Sequence, residues 1–193
     1  MRLLMRFLIV CFSCTLFLPA CGVKSTPSYY INQDTDFSFI KTVAVLPLDN
    51  LTNDRFAGES VRQVVISELL ASGLTDVVCP GDVASACETV KIKAGRSPSA
   101  EQIRALGKTL RVQAVIFGTV NKYGEVREGN ISAPEISITL MMADTSSGSI
   151  IWSVTKTYGG ADFWEKHFGA RADTMSETVL RVVRASIGTL CKR

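Results

Sequence analysis

Several residue types and patterns that carry chemistry in other proteins are scarce in this sequence. Its 193 residues include one histidine, His167, and two tryptophans. A single imidazole argues against the histidine clusters on which many metal and hydrolytic sites depend. An excess of one charge is also lacking, because 21 Lys and Arg against 18 Asp and Glu give a formal charge of +3. This balance argues against a nucleic-acid partner.

Motifs of common enzyme classes are missing as well. Gly107-Lys108-Thr109 matches only the end of a phosphate-binding loop, because the glycine required five positions earlier is Gln102. The sequence contains no G-x-S-x-G nucleophile elbow. Acidic residues such as Asp49 and Asp54 are interpreted as loop caps. The sequence therefore predicts no catalytic residues, cofactor or metal ligands, and an uncharacterised enzyme is the least favoured alternative.

Long hydrophobic runs are confined to the beginning of the chain. Arg2 and Arg6 precede a hydrophobic run at residues 7–18, which is the order found in secretory signal peptides. As a helix this run spans about 18 Å, less than the roughly 30 Å hydrocarbon core of a bilayer. We therefore expect residues 1–20 to be a signal peptide and not a lasting transmembrane anchor.

The run ends in Leu18-Pro19-Ala20-Cys21-Gly22, which resembles the lipobox of bacterial lipoproteins. The resemblance implies cleavage before Cys21, a thioether link to diacylglycerol and acylation of the new amine. Several acyl chains anchor a protein stably, whereas one binds only marginally. Gly22 stands where an aspartate would favour the inner membrane, so the resemblance implies the periplasmic face of the outer membrane. An ordinary signal peptide with a coincidental cysteine is the alternative.

Three cysteines remain after the signal peptide is removed and Cys21 is lipidated: Cys79, Cys87 and Cys191. In an oxidising periplasm this odd number allows at most one internal disulfide. Cys79 and Cys87 are the nearer pair and flank Pro80-Gly81, a turn signal, so they form the candidate disulfide. Pairing with Cys191 is left open.

The mature chain is predicted to contain a tether and one domain. Residues 21–38 are interpreted as the lipidated cysteine and a flexible tether, and residues 39–193 as a periplasmic α/β domain. Hydrophobic periodicity and capping boxes predict strands at 42–48, 76–79, 113–118, 135–143 and 150–158 and helices at 59–72, 99–110 and 174–190. Residues 88–98 and 124–134 are predicted as connections. The order βαβαβββα predicts a single mixed β-sheet flanked by helices.

Three segments of this domain resemble a superfamily of periplasmic proteins. Residues 43–50, 114–120 and 144–152 are similar to strand and turn signatures of this superfamily. Its members include the lipoproteins CsgG and LpoB and the amino-terminal domain of TolB. The resemblance covers residues 41–190 and implies the same fold. It also implies a binding, scaffolding or assembly role, with no catalytic residues carried over.

The expected function is that of an outer-membrane-anchored periplasmic lipoprotein. It is a non-enzymatic accessory or assembly factor that binds an envelope partner protein, as an LpoB-like activator of a peptidoglycan synthase does. A tether of residues 22–38 reaches at most about 60 Å, which favours a partner close to the outer membrane. The alternative is a CsgG-like subunit that self-assembles into a homo-oligomeric secretion channel. That alternative is weakened because the hairpin at 135–158 is needed by the domain's own sheet.

One segment combines aromatic and charged residues. Phe163, Trp164 and Phe168 lie within six residues, interleaved with charges. Aromatic side chains dominate the energetics of protein interfaces, so these three are candidate partner-binding residues. The alternative, which the sequence favours, is that they cover one end of the sheet.

We predict that Cys21→Ser removes the membrane anchor, because the thiol that accepts the diacylglycerol is lost. Mass spectrometry of the protein from membrane fractions should find lipid on the wild type and none on the variant. Cys79→Ser should keep its lipid and serves as the matched control. A wild-type protein without lipid at Cys21 would contradict the prediction.

Overall fold

The strands of the protein form one mixed sheet with helices on both faces. A computed structural model describes residues 29–93, 95–128, 131–159 and 173–190. The strands are β1 (Tyr29–Ile31), β2 (Thr42–Val45), β3 (Asp49–Asn50), β4 (Asp76–Val77), β5 (Ala114–Glu128), β6 (Ile131–Asp144) and β7 (Ile150–Gly159). The helices are α1 (Ala57–Ser72), α2 (Pro80–Thr89), α3 (Ala100–Leu110) and α4 (Met175–Ile187). Among these helices none combines the length and apolar character needed to cross a membrane.

The strand order across the sheet is β1-β7-β6-β5-β2-β4, with β3 beside β5. β2 is parallel to β4 and β5, and β3 is parallel to β5. β5, β6, β7 and β1 pair with one another in antiparallel fashion. The predicted mixed sheet flanked by helices is therefore confirmed, with seven strands and four helices in the described residues.

Alternate residues of β2 face two separate cores. Val43 and Val45 pack on the side of α1 and α4, while Ala44 packs on the side of α2 and α3. Both α3 and α4 begin with the predicted capping boxes, in which Ser99 and Thr174 are the N-caps. The helices therefore begin where the sequence predicts, and their apolar faces cover the sheet.

Helix α2 lies where the sequence predicts a turn, so that prediction is wrong. Pro80 occupies the first turn of the helix, where the N–H that proline lacks would have no helical partner. Val83, Ala86 and Cys87 are buried on one side of α2. Pro80-Gly81 therefore starts a helix here and does not reverse the chain.

The predicted loop at 124–134 is also wrong. β5 continues to Glu128 and β6 starts at Ile131, and the two strands pair along their full length. This end of the hairpin extends past β3, which pairs with β5 only at Thr119 and Val120. A two-stranded ribbon needs little apolar alternation, and so the periodicity that reveals buried strands is weak there.

Strand β1 lies before the predicted start of the domain at residue 39. Tyr29–Ile31, assigned to the tether from the sequence, forms β1 and pairs with β7. Ile31 packs against the core. The part of the chain that the structure describes therefore joins the sheet about ten residues before the predicted domain boundary at 39.

We predict that Gly118→Ala destabilises the domain, because an added Cβ would overlap the carbonyl oxygen of Thr139 in the neighbouring strand. We expect the free energy of unfolding to fall by about 2 kcal/mol or more. Gly124→Ala is the matched control in the same strand, because its Cβ would meet no atom within 4 Å. Denaturant unfolding of both variants tests this, and equal stabilities would contradict it.

Candidate functional site

The pairing with β5 is interrupted between β2 and β3. Val45 pairs with Ile116 and Asp49 pairs with Thr119, so the segment from β2 to β3 carries one residue more than the facing part of β5, as in a β-bulge. Pro47 lies inside this interruption and has no N–H to donate to a ladder. The interruption therefore opens the sheet at the carboxyl end of β2, which is the end where ligands bind in many parallel sheets.

A buried arginine satisfies the backbone at this interruption. The Nε and Nη2 atoms of Arg62 donate to the carbonyl oxygen of Val45 at 3.1 and 3.0 Å. Its Nη1 atom lies 3.4 Å from Oε2 of Glu59, one turn earlier on α1. Because Arg62 is only 5% exposed, these hydrogen bonds replace the water that its guanidinium group loses on burial. Arg62 therefore ties α1 to the end of β2.

A cleft of about 250 Å³ adjoins the interruption on the side of α2. Its apolar residues include Leu46, Pro47, Cys87, Ile92 and Phe117, and its charged residues are Asp49, Glu88, Lys93 and Arg96. This volume lies just below the usual range of small-molecule pockets, about 300–1,000 Å³. Apolar walls with a few charged groups are typical of binding pockets and active sites alike.

The one thiol in this cleft is not activated. Burial raises the pKa of Cys87, and the nearby positive charge of Arg62 opposes this effect only in part. The thiol therefore stays protonated at neutral pH, whereas a nucleophilic cysteine requires the thiolate.

The candidate disulfide between Cys79 and Cys87 is not formed, and both thiols are free. Cys79 is the N-cap of α2 and Cys87 lies eight residues further along the chain. Eight residues of helix span about 12 Å, whereas the Cα atoms of a disulfide lie within about 7 Å. The unpredicted helix is therefore the reason why this pairing fails.

Two carboxylates near the interruption have local backbone roles. Oδ1 of Asp49 accepts a hydrogen bond of 2.7 Å from the N–H of Gly95 and so holds the segment that follows α2. Oδ1 of Asp54 accepts one of 2.8 Å from the N–H of Phe56. Both residues fix loops, which agrees with their interpretation as caps. Nothing in their contacts indicates a pair for general acid–base catalysis.

Residues 51–56 form an ordered loop between β3 and α1, which we call the 51–56 loop. Oδ1 of Asn50 accepts hydrogen bonds from the N–H and hydroxyl of Thr52 at 3.0 and 2.7 Å. Nδ2 of Asn50 donates to the carbonyl oxygen of Asp54 at 2.7 Å. These contacts fix the loop from inside, so its conformation does not depend on a partner.

The 51–56 loop presents apolar side chains to solvent. Leu51 is 73% exposed and Phe56 is 60% exposed. The guanidinium carbon of Arg55 lies 4.4 Å from the centroid of the Phe56 ring. Exposed aromatic residues and arginines on ordered loops are typical interface residues. Sequence reasoning missed this surface, although Leu51 and Phe56 are the only large apolar residues in an otherwise polar segment.

Other predicted site residues lie outside the described residues. These are the lipidation site Cys21 and the aromatic residues Phe163, Trp164 and Phe168. They stay predictions. Within the described ranges, no group of three or more His, Cys, Asp and Glu residues is arranged to hold a metal ion.

We predict that a thiol reagent labels Cys79 quickly and Cys87 slowly, because Cys79 is exposed and Cys87 is buried with a raised pKa. Raising the pH from 7 to 9 should speed the labelling of Cys87 steadily and without levelling off, because its raised pKa keeps the thiolate a minority species that grows with each step in pH. The experiment uses a Cys191→Ser background, with Cys79→Ser and Cys87→Ser as the two controls. A mass 2 Da below that of the dithiol, with both sites protected, would contradict the prediction.

Comparisons with known proteins find similar folds among solved bacterial proteins. No protein-family model and no curated protein sequence matches the chain. PelC from Paraburkholderia phytofirmans, solved as a dodecamer, is similar at 20% identity and a TM-score of 0.59, over 86% of this chain and 98% of that chain. Lipoprotein GNA1162 from Neisseria meningitidis is similar at 15% identity and a TM-score of 0.56, over 79% of this chain and 99% of that chain.

The LpoB C-terminal domain from Escherichia coli is more distant. It aligns at 15% identity and a TM-score of 0.44, over 61% of this chain and 82% of that chain. A TM-score of this size supports no further argument, and the resemblance to TolB and CsgG stays a prediction. The chain thus shares its fold with PelC and with lipoprotein GNA1162.

Proposed function

We propose that the protein is an outer-membrane-anchored periplasmic lipoprotein that acts as a non-enzymatic accessory or assembly factor and binds an envelope partner protein. The observation that carries this proposal is the fold shared with lipoprotein GNA1162 over 99% of that chain. The lipobox-like sequence at residues 18–22 gives independent support for a lipid anchor at Cys21.

The chemistry of the cleft supports binding over catalysis. The Cys87 thiol is held protonated by burial, and the Asp49 carboxylate accepts a hydrogen bond from the backbone N–H of Gly95. A nucleophile needs a lowered pKa or an adjacent base, and neither is indicated by the described contacts of Cys87. The ordered, exposed Leu51 and Phe56 offer instead a surface for a protein partner.

The position of β1 supports a partner close to the membrane. Eight residue steps separate Cys21 from Tyr29, the first residue of β1. A fully extended chain of this length spans at most about 28 Å, half of the reach expected from the sequence. With lipid on Cys21, the domain stays near the membrane surface. A partner in the opposite membrane must itself extend across most of the periplasm.

A second candidate function is that of a self-assembling subunit of an outer-membrane secretion channel. The similarity to PelC, which was solved as a dodecamer, favours this candidate. The aligned region covers 98% of the PelC chain, so this chain contains nearly the whole fold of a protein that was solved as a dodecamer.

Crosslinking in intact bacterial cells, followed by mass spectrometry, distinguishes these functions. We expect the full-length protein to capture a distinct envelope protein, and Cys21→Ser to capture less of it because the domain leaves the membrane. Cys79→Ser keeps the anchor and should capture as much as the wild type. A ladder of self-crosslinks alone would favour the second candidate. A folded, anchored protein that captures neither would contradict both.

A further inference from the structure

Large exposed apolar side chains are concentrated at the two ends of α1. Eight large side chains with apolar or aromatic groups are exposed in the described residues, and five of them lie at these ends. Leu51 and Phe56 lie at the start of α1, and Phe39, Leu70 and Leu74 lie at its end. Single exposed apolar residues need no explanation, but groups at two opposite ends of one helix do.

The end of α1 carries an apolar hollow. A cavity of about 60 Å³ is lined mainly by Phe37, Ile40, Leu69, Leu74 and Met142. Leu74 lines it and is 43% exposed. Phe39 and Leu70, which are next in sequence to the lining residues Ile40 and Leu69, are 77% and 53% exposed. We call these lining and adjacent residues the amino-end hollow, because they surround the amino end of β2. A protruding aliphatic or aromatic side chain is the chemical group that such a hollow accommodates.

The opposite end carries protruding groups of this kind. Leu51 and Phe56 extend from the 51–56 loop, which the side chain of Asn50 holds in one conformation. Gly58 follows closely, and a Cβ there would lie 2.9 Å from the carbonyl oxygen of Leu48. The loop is thus fixed at both ends, so that little conformational entropy is lost when it enters a contact.

The two surfaces cannot meet within one copy. Phe56 is the N-cap of α1 and Leu70 lies in its last turn. Fourteen residues of helix separate them by about 21 Å. A contact between them therefore joins two copies, and it joins different surfaces of the two. Such a head-to-tail contact repeats from copy to copy, and it closes into a ring when the rotation per copy divides a full turn.

We propose that the 51–56 loop of one copy docks onto the amino-end hollow of a second copy, with Leu51 and Phe56 packing against its exposed apolar side chains. This proposal rests on the second candidate function, self-assembly, and names its interface. A second copy is favoured over an unrelated partner because one chain carries both the protruding and the receiving apolar surface. The similarity to the PelC dodecamer supports the same occupant.

Mixing of two variants tests the proposal. The first carries Leu51→Ser and Phe56→Ser and keeps an intact hollow; the second carries Leu70→Lys and Leu74→Lys and keeps an intact loop. Each variant alone should need at least a tenfold higher concentration than the wild type to self-associate. An equimolar mixture should form dimers, because the intact loop of the second variant can bind the intact hollow of the first. The dimers should not grow further, because their two remaining surfaces both carry substitutions. Sedimentation velocity of the detergent-solubilised lipoprotein measures both effects.

Controls separate a loss of the contact from a loss of the fold. All four substituted residues are exposed, and circular dichroism should give the wild-type spectrum for each variant. Tyr30→Ser, on an equally exposed residue of β1, should self-associate as the wild type does. The formation of dimers in the mixture also requires that both variants are folded.

The outcomes separate this interface from the function on which it rests. Wild-type assembly that both variants retain would overturn the interface and leave self-assembly standing. A wild-type protein that stays monomeric at every concentration would overturn both. Variants that lose assembly but form no dimers when mixed would also overturn the head-to-tail arrangement, because an intact loop and an intact hollow would then fail to bind each other.

Discussion

The interruption between β2 and β3, from Val45 to Asp49, determines much of the structure around it. Because the backbone leaves the ladder there, the carbonyl of Val45 takes its hydrogen bonds from the buried guanidinium of Arg62. The same departure opens the cleft beside Cys87 and directs the chain into the 51–56 loop. One extra residue in a strand thus positions a helix, a cleft and an exposed apolar surface.

The described surfaces are suited to binding. The cleft contains a protonated thiol and carboxylates engaged in loop geometry, and the exposed apolar residues lie on well-ordered backbone. Groups of exposed apolar residues, unlike single ones, are typical of interaction sites. The sheet and its two helical layers would support the interaction surfaces that we propose at the ends of α1.

The sequence predicts the elements whose signals are local. The capping boxes at Ser99 and Thr174 start helices as expected, and the alternation in β6 and β7 places that hairpin correctly. It does not predict α2, because proline is compatible with both a turn and a first helical turn. Nor does it predict the 51–56 loop surface, whose shape depends on hydrogen bonds from the Asn50 side chain and not on periodicity.

The early start of β1 has a consequence for mass action. With the proposed lipid on Cys21, β1 would begin within about 28 Å of the membrane, and copies would diffuse in two dimensions. Confinement of this kind raises the effective concentration toward the millimolar range, as a short linker does for two joined modules. An interface too weak to persist in dilute solution is then populated at the membrane. The short tether would thus couple assembly to correct anchoring.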